Sequence, residues 1–322
     1  MDLFENIPQQ ALDWHEAGKG AALATVIQTW GSAPRRVGAQ LVVSGSGDME
    51  GSVSGGCVEG AVVVEAMEAL LDGKPRVLEY GISDDDAFAV GLACGGTIKV
   101  YVEPVGDAFP VEMLQALVAA RAGREPVAYE VNIATGQRQL RKDGYKERFA
   151  KDRSGFEEDG QTFVAIHNPP LRLAIVGAVH IAQALMPMAR VAGFDPVVID
   201  PRAAFGAQAR FPGESVIEDW PDEALQAYGL DARTALVLLT HDPKLDDPAL
   251  HVALASDAFY IGALGSTRTH AKRVERFSSA GYDAQSIARI NGPVGLDIGA
   301  SSPQEIAVSI LSEMIQTLRQ VP

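Results

Sequence analysis

Residues 171–182 read LRLAIVGAVHIA, and this stretch decides the fold of the second half of the chain. The apolar run Leu171–Val176 predicts a buried strand, Gly177 allows a tight turn, and a helical pattern runs from Val179 to Ala192. The turn stands where a dinucleotide-binding fold places its G-x-G-x-x-A motif. The sequence therefore predicts the first strand–turn–helix unit of a Rossmann-like domain.

The same alternation of strand and helix continues to the end of the chain. Further buried strands are predicted by the apolar runs at 196–199, 234–240 and 259–263. The last helix begins with a capping box that runs from Ser302 to Glu305. This alternation predicts a doubly wound parallel sheet. Because Asn168-Pro169-Pro170 predicts a linker, we place the Rossmann-like domain at residues 171–322.

The first domain, residues 1–168, has a different pattern. Short alternating strands and turns, such as TIKVYVE at 97–103, predict an α+β domain with a small mixed sheet. Residues 105–168 are interpreted as a variable β-rich extension of this domain. Within it, the highly charged stretch 142–161 predicts exposed hairpins or a mobile excursion, because its charges have mixed signs.

The turn after the first Rossmann-like strand supplies a set of candidate cofactor contacts. They are Gly177, Ala178, His180, Asp200 and Arg202. Asp200 ends the second strand, where an acid would bond ribose hydroxyls, and Arg202 is placed to face a phosphate. Val179 weakens an NAD(P) site, because a β-branched side chain replaces the glycine that lets backbone approach a pyrophosphate. His180 either touches a ligand or is simply packed or solvated.

The stretch GSVSGGCVEGAVVVEAMEALL, residues 51–71, passes from a glycine-rich turn into an apolar-striped helix. Gly55 and Gly56 disfavour a helix interior, so Cys57 falls at or just before the first turn. Unpaired N–H groups and the helix dipole favour a thiolate at that point. Glu59 lies in the same turn and would oppose the thiolate at close range.

Cys94 mirrors this arrangement, because it stands beside Gly95 and Gly96. Both cysteines of the chain therefore lie where backbone can approach a ligand closely. The alternative interpretation is that each is a small buried apolar residue beside a turn.

Arg35 and Arg36 lie in a glycine-bearing loop between two predicted strands. They predict a phosphate clamp, since a guanidinium group matches phosphate oxygens bidentately. A solvated loop is the alternative.

The composition argues against several classes of protein. A formal net charge of −15 argues against a nucleic-acid partner, because phosphate binding needs a basic surface. No apolar run reaches transmembrane length and the start of the chain lacks a signal-peptide pattern, so we expect no membrane association. Two cysteines do not make a disulfide framework, and we expect a protein of the reducing cytoplasm.

Several motifs of the two domains occur together in one known family. Those of the first domain are GSAPRRVGAQLVV, SVSGGCVEG and CGGTIKVYVEP. Those of the second are IVGAVHIAQALMPMA, VIDPR, THDPKLD, YIGALGSTRTHAKR and GPVGLDIGASSPQEIAVSIL. With these motifs the chain resembles the XdhC/CoxI family, maturation factors for xanthine dehydrogenase and related molybdenum hydroxylases. The resemblance thins out at 105–168, and the family usually has glycine where Val179 stands.

The resemblance implies a function and a set of partners. Family members are thought to bind the molybdenum cofactor, support its sulfuration and hand it to a client molybdenum hydroxylase, with a cysteine desulfurase as a further partner. Cys57 would then contact molybdenum or accept persulfide sulfur, with Cys94 in support and Glu59 handling protons. The glycine loops and Arg35 and Arg36 would hold the phosphate of the cofactor. We expect an accessory chaperone rather than a turnover enzyme, and a homodimer.

Two other functions stay open from the sequence. The Rossmann-like domain allows an NAD(P)-dependent oxidoreductase, although Val179 and the lack of a clear acid/base pair speak against it. A scaffold that only docks a desulfurase onto a dehydrogenase would have no affinity for small molecules.

Overall fold

The computed structural model describes residues 6–31, 35–81, 96–205 and 209–320. The chain divides into two compact units, Asp2–Pro169 and Pro170–Pro322. We call them the N-terminal unit and the C-terminal unit. The division falls within the Asn168-Pro169-Pro170 segment, where two consecutive prolines interrupt regular structure.

A five-stranded sheet forms the centre of the N-terminal unit. Its strands are β1 (Ala22–Trp30), β2 (Gln40–Val43), β3 (Met49–Gly51), β4 (Arg76–Tyr80) and β5 (Thr97–Pro104). Their order is β3-β2-β1-β5-β4, and every pairing among these described strands is antiparallel. The predicted α+β class is confirmed, but the sheet is antiparallel rather than mixed. The reason is that β1, β2 and β3 follow one another as hairpins, and β5 returns beside β1 in the opposite direction.

Helices cover both faces of this sheet, because strands such as β1 are buried along most of their length. The helices are α1 (Ile7–Glu16), α2 (Glu59–Asp72) and α3 (Val111–Ala122). The buried positions of α2 are Glu59, Val62, Ala66 and Ala69, which repeat at three- and four-residue spacing on one face. That face packs on the sheet in one apolar cluster, while α1 and α3 share a second cluster on the opposite face.

A second, four-stranded antiparallel sheet completes the N-terminal unit. It consists of β6 (Val127–Asn132), β7 (Arg138–Arg141), β8 (Gly155–Phe156) and β9 (Thr162–His167) in the order β7-β6-β9-β8. The stretch 142–161 differs from the expected hairpins, because it holds the helix α4 (Lys146–Lys151) together with β8. Arg148 donates to the carbonyl oxygens of Gly155 and Phe156 at 3.1 and 3.0 Å. The charges of this stretch are therefore partly used to fold it.

The C-terminal unit confirms the predicted doubly wound parallel sheet. Its strands are β10 (Leu171–Val176), β11 (Phe194–Ile199), β12 (Val216–Ile217), β13 (Thr234–Leu238), β14 (Tyr260–Ala263) and β15 (Ile290–Asn291). All of the pairings are parallel, in the order β12-β11-β10-β13-β14-β15. The direction of strand order reverses between β10 and β13, which is where folds of this class bind ligands at the carboxyl ends of the strands.

Helices lie on both faces of the parallel sheet. They are α5 (His180–Val191), α6 (Pro221–Tyr228), α7 (Pro243–Leu254), α8 (Thr267–Ser279), α9 (Ala284–Ile287) and α10 (Pro303–Arg319). One apolar cluster joins the sheet to α5 and α10, and a second joins its other face to α6, α7 and α9. The predicted capping box is present, since Ser302 and Glu305 each bond the other's backbone at the start of α10.

Candidate functional site

The loop that precedes α2 presents Cys57 two residues before the helix begins. Gly55 and Gly56 have φ angles of +75° and +110°, which a residue with a side chain adopts only at a cost. A Cβ atom added to Gly56 would meet nothing within 4 Å, so the outer side of the loop is open. The sequence of this loop therefore places the cysteine on an accessible, sharply turned segment.

The carboxylate of Glu59 holds this loop from within. It accepts hydrogen bonds from the Ser52 hydroxyl at 2.7 Å and from the backbone N–H groups of Ser54 and Gly56 at 2.8 and 2.9 Å. The Val53 N–H, at 3.2 Å, and the Ser54 hydroxyl also donate to it. Burial raises the pKa of Glu59, but the hydrogen bonds from Ser54 and Ser52 outweigh that effect and lower the pKa to about 2.

This arrangement differs from the proton-handling role expected for Glu59. A carboxyl group with a pKa of about 2 holds no proton near neutral pH, and its oxygens are occupied by donors of the loop. Sequence reasoning missed Ser52 and Ser54, which share the binding of the carboxylate. A signal was available, because a charged residue on the buried face of a helix needs partners nearby.

Ser54 connects the glutamate to the cysteine. Its hydroxyl oxygen accepts hydrogen bonds from the backbone N–H groups of Cys57 and Val58, at 3.0 and 2.9 Å. The N–H of Gly55 donates to the Ser52 hydroxyl at 2.9 Å. The loop N–H groups therefore point at its own side chains, and the expected backbone cradle for a phosphate is not formed by them. Half-buried Cys57 is a free thiol that packs at the edge of the apolar cluster under α2.

The structure brings Arg35 to the same loop. Its Nε donates to the carbonyl oxygen of Ser52 across 3.2 Å. Arg36 is exposed, and its carbonyl oxygen accepts from the N–H of Ala39 at 3.1 Å. Cys94 and Gly95 lie outside the described residues, while Gly96 is buried immediately before β5. One of the two predicted arginines and one of the two cysteines are thus shown in a common surface.

The turn of the C-terminal unit is closed by its own chain. Gly177 has a φ of +111°, and a Cβ atom there would lie 2.9 Å from Cγ2 of Thr240 and 3.3 Å from the backbone of Leu239. The glycine is therefore needed for the approach of the segment that follows β13. Val179 begins α5 in extended backbone conformation, and its side chain is partly buried against the core.

Asp200 and Arg202 are bonded to each other at the same edge of the sheet. Nε and Nη2 of Arg202 donate to the two carboxylate oxygens at 2.8 Å each, and the N–H of Ala178 donates at 2.8 Å. Burial raises the pKa of Asp200, but the bonds from Arg202 and Ala178 outweigh it, so the pKa is lowered. A ribose contact would require the fully buried Asp200 to give up these bonds. His180 is exposed at the first residue of α5.

Two kinds of site are missing from the described residues. In ranges 6–31, 35–81, 96–205 and 209–320, no group of three or more His, Cys, Asp or Glu side chains is arranged to hold a metal ion. In the same ranges, no helix combines the length and the apolar character needed to cross a membrane.

Two family models match the chain. The model of the XdhC and CoxI family matches residues 14–81, which include Arg35 and the Cys57 loop. The model of the XdhC Rossmann domain matches residues 173–314, which include the Gly177 turn.

Individual proteins match over nearly the whole chain. The molybdenum cofactor insertion chaperone PaoD of Escherichia coli K12 is 32% identical over 302 residues, covering 92% of this chain and 83% of PaoD. A protein of Bacillus subtilis 168 described as a probable xanthine dehydrogenase component is 29% identical over 318 residues, covering 94% of both chains. A crystal structure of a xanthine dehydrogenase from Bacillus halodurans superposes with a TM-score of 0.76 at 26% identity, covering 98% of this chain and 96% of that one.

Proposed function

Because the chain belongs to the XdhC and CoxI family, we propose that it binds the molybdenum cofactor and inserts it into a client hydroxylase of the xanthine dehydrogenase type. The observation that carries the proposal is the similarity to PaoD, a molybdenum cofactor insertion chaperone, over 302 residues. That similarity covers both units, so the proposed function belongs to the whole chain and not to one of its domains.

The Cys57 loop supports a role in holding this cargo. A thiolate is a soft ligand of the kind that binds molybdenum and accepts sulfur. The loop is held by Glu59 and Ser54 before any cargo arrives, so little ordering is needed on binding. Arg35 lies at the edge of the loop and, with Arg36, supplies the positive charge for the phosphate of the cofactor.

The finer features of the proposal concern sulfur and assembly. We assign Cys57 the acceptance of persulfide sulfur from a cysteine desulfurase, Cys94 a supporting role in the same chemistry, and the chain a homodimeric state. Incubation with a desulfurase and L-cysteine should add one sulfur atom to Cys57, which mass spectrometry of the intact chain and of its peptides detects. Light scattering during size-exclusion chromatography measures the mass of the assembly.

An NAD(P)-dependent oxidoreductase is supported less well. The strand order of the C-terminal unit suits a dinucleotide, but the residues of its first turn do not. Val179 stands in place of the glycine that admits a pyrophosphate, and the carboxylate of Asp200 is occupied by Arg202. We therefore derive no hydride-transfer step for this chain.

The deciding experiment is an anaerobic transfer assay. Purified chain is incubated with molybdenum cofactor released from a molybdoenzyme, separated from free cofactor and mixed with an apo-hydroxylase, whose activity is then measured. We expect the wild type to retain cofactor and activate the client, and Cys57→Ser to lose both by about tenfold or more, as when a metal-holding contact is removed. Cys94→Ser is the matched variant and should lose less.

Three results would contradict the proposal. Full cofactor retention and client activation by Cys57→Ser would remove Cys57 from the site. Tight binding of NAD(H) or NADP(H) without cofactor binding would favour the oxidoreductase. Absence of affinity for any of these molecules would favour a pure scaffold. Thermal unfolding of each variant checks that the loss is not caused by misfolding.

A further inference from the structure

A cavity of about 250 Å³ opens in the C-terminal unit between the first turn of α8 and the start of α7. Arg268, Lys272 and Arg273 of α8 line it, together with His241 and Asp246. Both helices follow the carboxyl ends of parallel strands, β13 and β14, where folds of this class bind ligands. A single water occupies about 30 Å³ in the liquid, so the cavity has room for a larger molecule.

Arg273 is the decisive residue of this cavity. Its side chain is buried, with the residue only 2% exposed, and one nitrogen, Nη2, donates to the carbonyl oxygen of Leu264 at 3.1 Å. Its other nitrogens, Nε and Nη1, have no hydrogen-bond partner among the described residues. A buried charged donor without an acceptor is expensive, and burial lowers the pKa of Arg273 accordingly. The group is therefore built to meet an acceptor that enters the cavity.

Two further cations lie on the same face of α8. Arg268 and Lys272 are four residues apart and exposed, and within the described part of the chain neither has a carboxylate at ion-pair distance. Arg276, by contrast, is neutralised by Asp247, whose carboxylate accepts from its Nε and Nη2 at 2.7 and 2.8 Å. Positive charge thus concentrates in one cavity of a chain whose formal net charge is −15.

One carboxylate faces the cavity from the opposite helix. Asp246 is buried on α7, and its Oδ1 accepts a hydrogen bond from the hydroxyl of Thr240 at 2.5 Å. Burial raises the pKa of Asp246, which weakens its tendency to oppose an anion. The cations of α8 still outnumber it, and the unpaired N–H groups of the first helical turn add to their potential.

We propose that this cavity is a binding site for a phosphate group, free or carried as a monoester or pyrophosphate, held by Arg273 with Arg268 and Lys272. Guanidinium donors match phosphate oxygens bidentately, and the dianion answers the excess of positive charge. The site stands independently of the proposed chaperone function, because it uses residues of the C-terminal unit alone and makes no assumption about the molybdenum cofactor.

Calorimetric titration of the full chain with inorganic phosphate, at fixed low ionic strength, tests this site. We expect saturable binding at one site per chain with a Kd below about 1 mM. The double variant Arg268→Gln/Lys272→Gln removes only exposed side chains, and we expect it to weaken binding about tenfold or more, as the loss of charge-assisted hydrogen bonds does. Lys19→Gln, a charge removal on an exposed lysine of the N-terminal unit, should bind like the wild type.

Two further arms sharpen the result. Pyrophosphate and glycerol 3-phosphate binding more tightly than inorganic phosphate would identify an ester as the occupant, whereas the reverse order would identify free phosphate. Arg273→Met should abolish binding, and its thermal unfolding without ligand reports whether it folds. The inference is overturned by absence of saturable phosphate binding to the wild type, or by unchanged binding in the double variant. Cofactor transfer uses different residues, so its failure would be seen separately.

Discussion

The backbone N–H and the hydroxyl of Ser54 donate to different oxygens of the Glu59 carboxylate, the N–H across 2.8 Å. The same hydroxyl accepts the N–H of Cys57 at 3.0 Å. The position of the cysteine therefore depends on a glutamate whose own side chain points into the loop. Cys57 itself supplies none of these bonds through its side chain, so the loop is organised without the thiol.

The titration of Glu59 predicts an acid limb of stability. Its folded-state pKa of about 2 lies below the ordinary value of 4.5, so its contribution is present above pH 4.5 and is lost as the pH falls toward 2. A shift of this size corresponds to a contribution on the order of 3 kcal/mol. We expect Glu59→Gln to lower the free energy of unfolding at neutral pH and to flatten its pH dependence in this window, measured by urea unfolding.

Glu305 supplies the control for this titration. Its pKa is also lowered to about 2, by hydrogen bonds from Ser302 and Ser301, but it is exposed and lies in the C-terminal unit. Glu305→Gln should leave the contribution of Glu59 intact. An acid limb that is the same in wild type and Glu59→Gln would contradict the arrangement of the loop.

Removal of the Ser54 hydroxyl should loosen the segment around Cys57. Ser54→Ala deletes the acceptor of the Cys57 and Val58 N–H groups, and the loss of such a cap costs about 1–2 kcal/mol. We also expect a changed rate of Cys57 alkylation, measured in a Cys94→Ser background. Ser279→Ala, on an exposed helix end, should change stability by less than about 0.5 kcal/mol. Equal stability of the two variants would count against the role of Ser54.

A buried ion pair joins the two sheets of the N-terminal unit. Nε of Arg138 on β7 donates to Glu103 on β5 at 2.9 Å, and the hydroxyl of Tyr129 on β6 donates to the same oxygen at 2.7 Å. Arg138→Met leaves the buried Glu103 without its cation, and we expect a loss of about 3–5 kcal/mol in urea unfolding. Arg138→Met/Glu103→Gln should recover part of that loss.

Arg141 offers the matched exposed arginine in the same strand. It pairs with Asp143 at 3.3 Å on the surface, so Arg141→Met should cost less than about 1 kcal/mol. If Arg138→Met were as mild as Arg141→Met, the ion pair would not join the sheets energetically.

Gly177 is predicted to tolerate no side chain. Gly177→Ala combines positive φ with a contact of 2.9 Å to Cγ2 of Thr240, whereas Gly193→Ala has positive φ with nothing within 4 Å. Both variants should carry the backbone cost of about 1–3 kcal/mol. Overpacking should make Gly177→Ala worse by roughly another 1–3 kcal/mol in thermal or urea unfolding. Similar losses in the two variants would show that the close approach of Thr240 is easily relieved.

Much of the fold was predictable because its signals are local. The apolar run Leu171–Val176 and the helix after it indicate a strand–turn–helix unit, and Ser302 with Glu305 indicates the start of α10. The sense of the first sheet was not predictable in the same way, because strand pairing joins segments such as β1 and β5 that lie far apart in sequence.

The sequence by itself determined the two domain types, the family resemblance and the place of Cys57 just before a helix, because periodicity, glycine and capping residues act over a few neighbours. Only the tertiary structure decided that Glu59 binds its own loop, that Asp200 is occupied by Arg202, and that Arg273 is buried with unpaired donors. The physical reason is that the partners of a polar side chain are set by the path of the surrounding chain, and burial makes each such partner decisive.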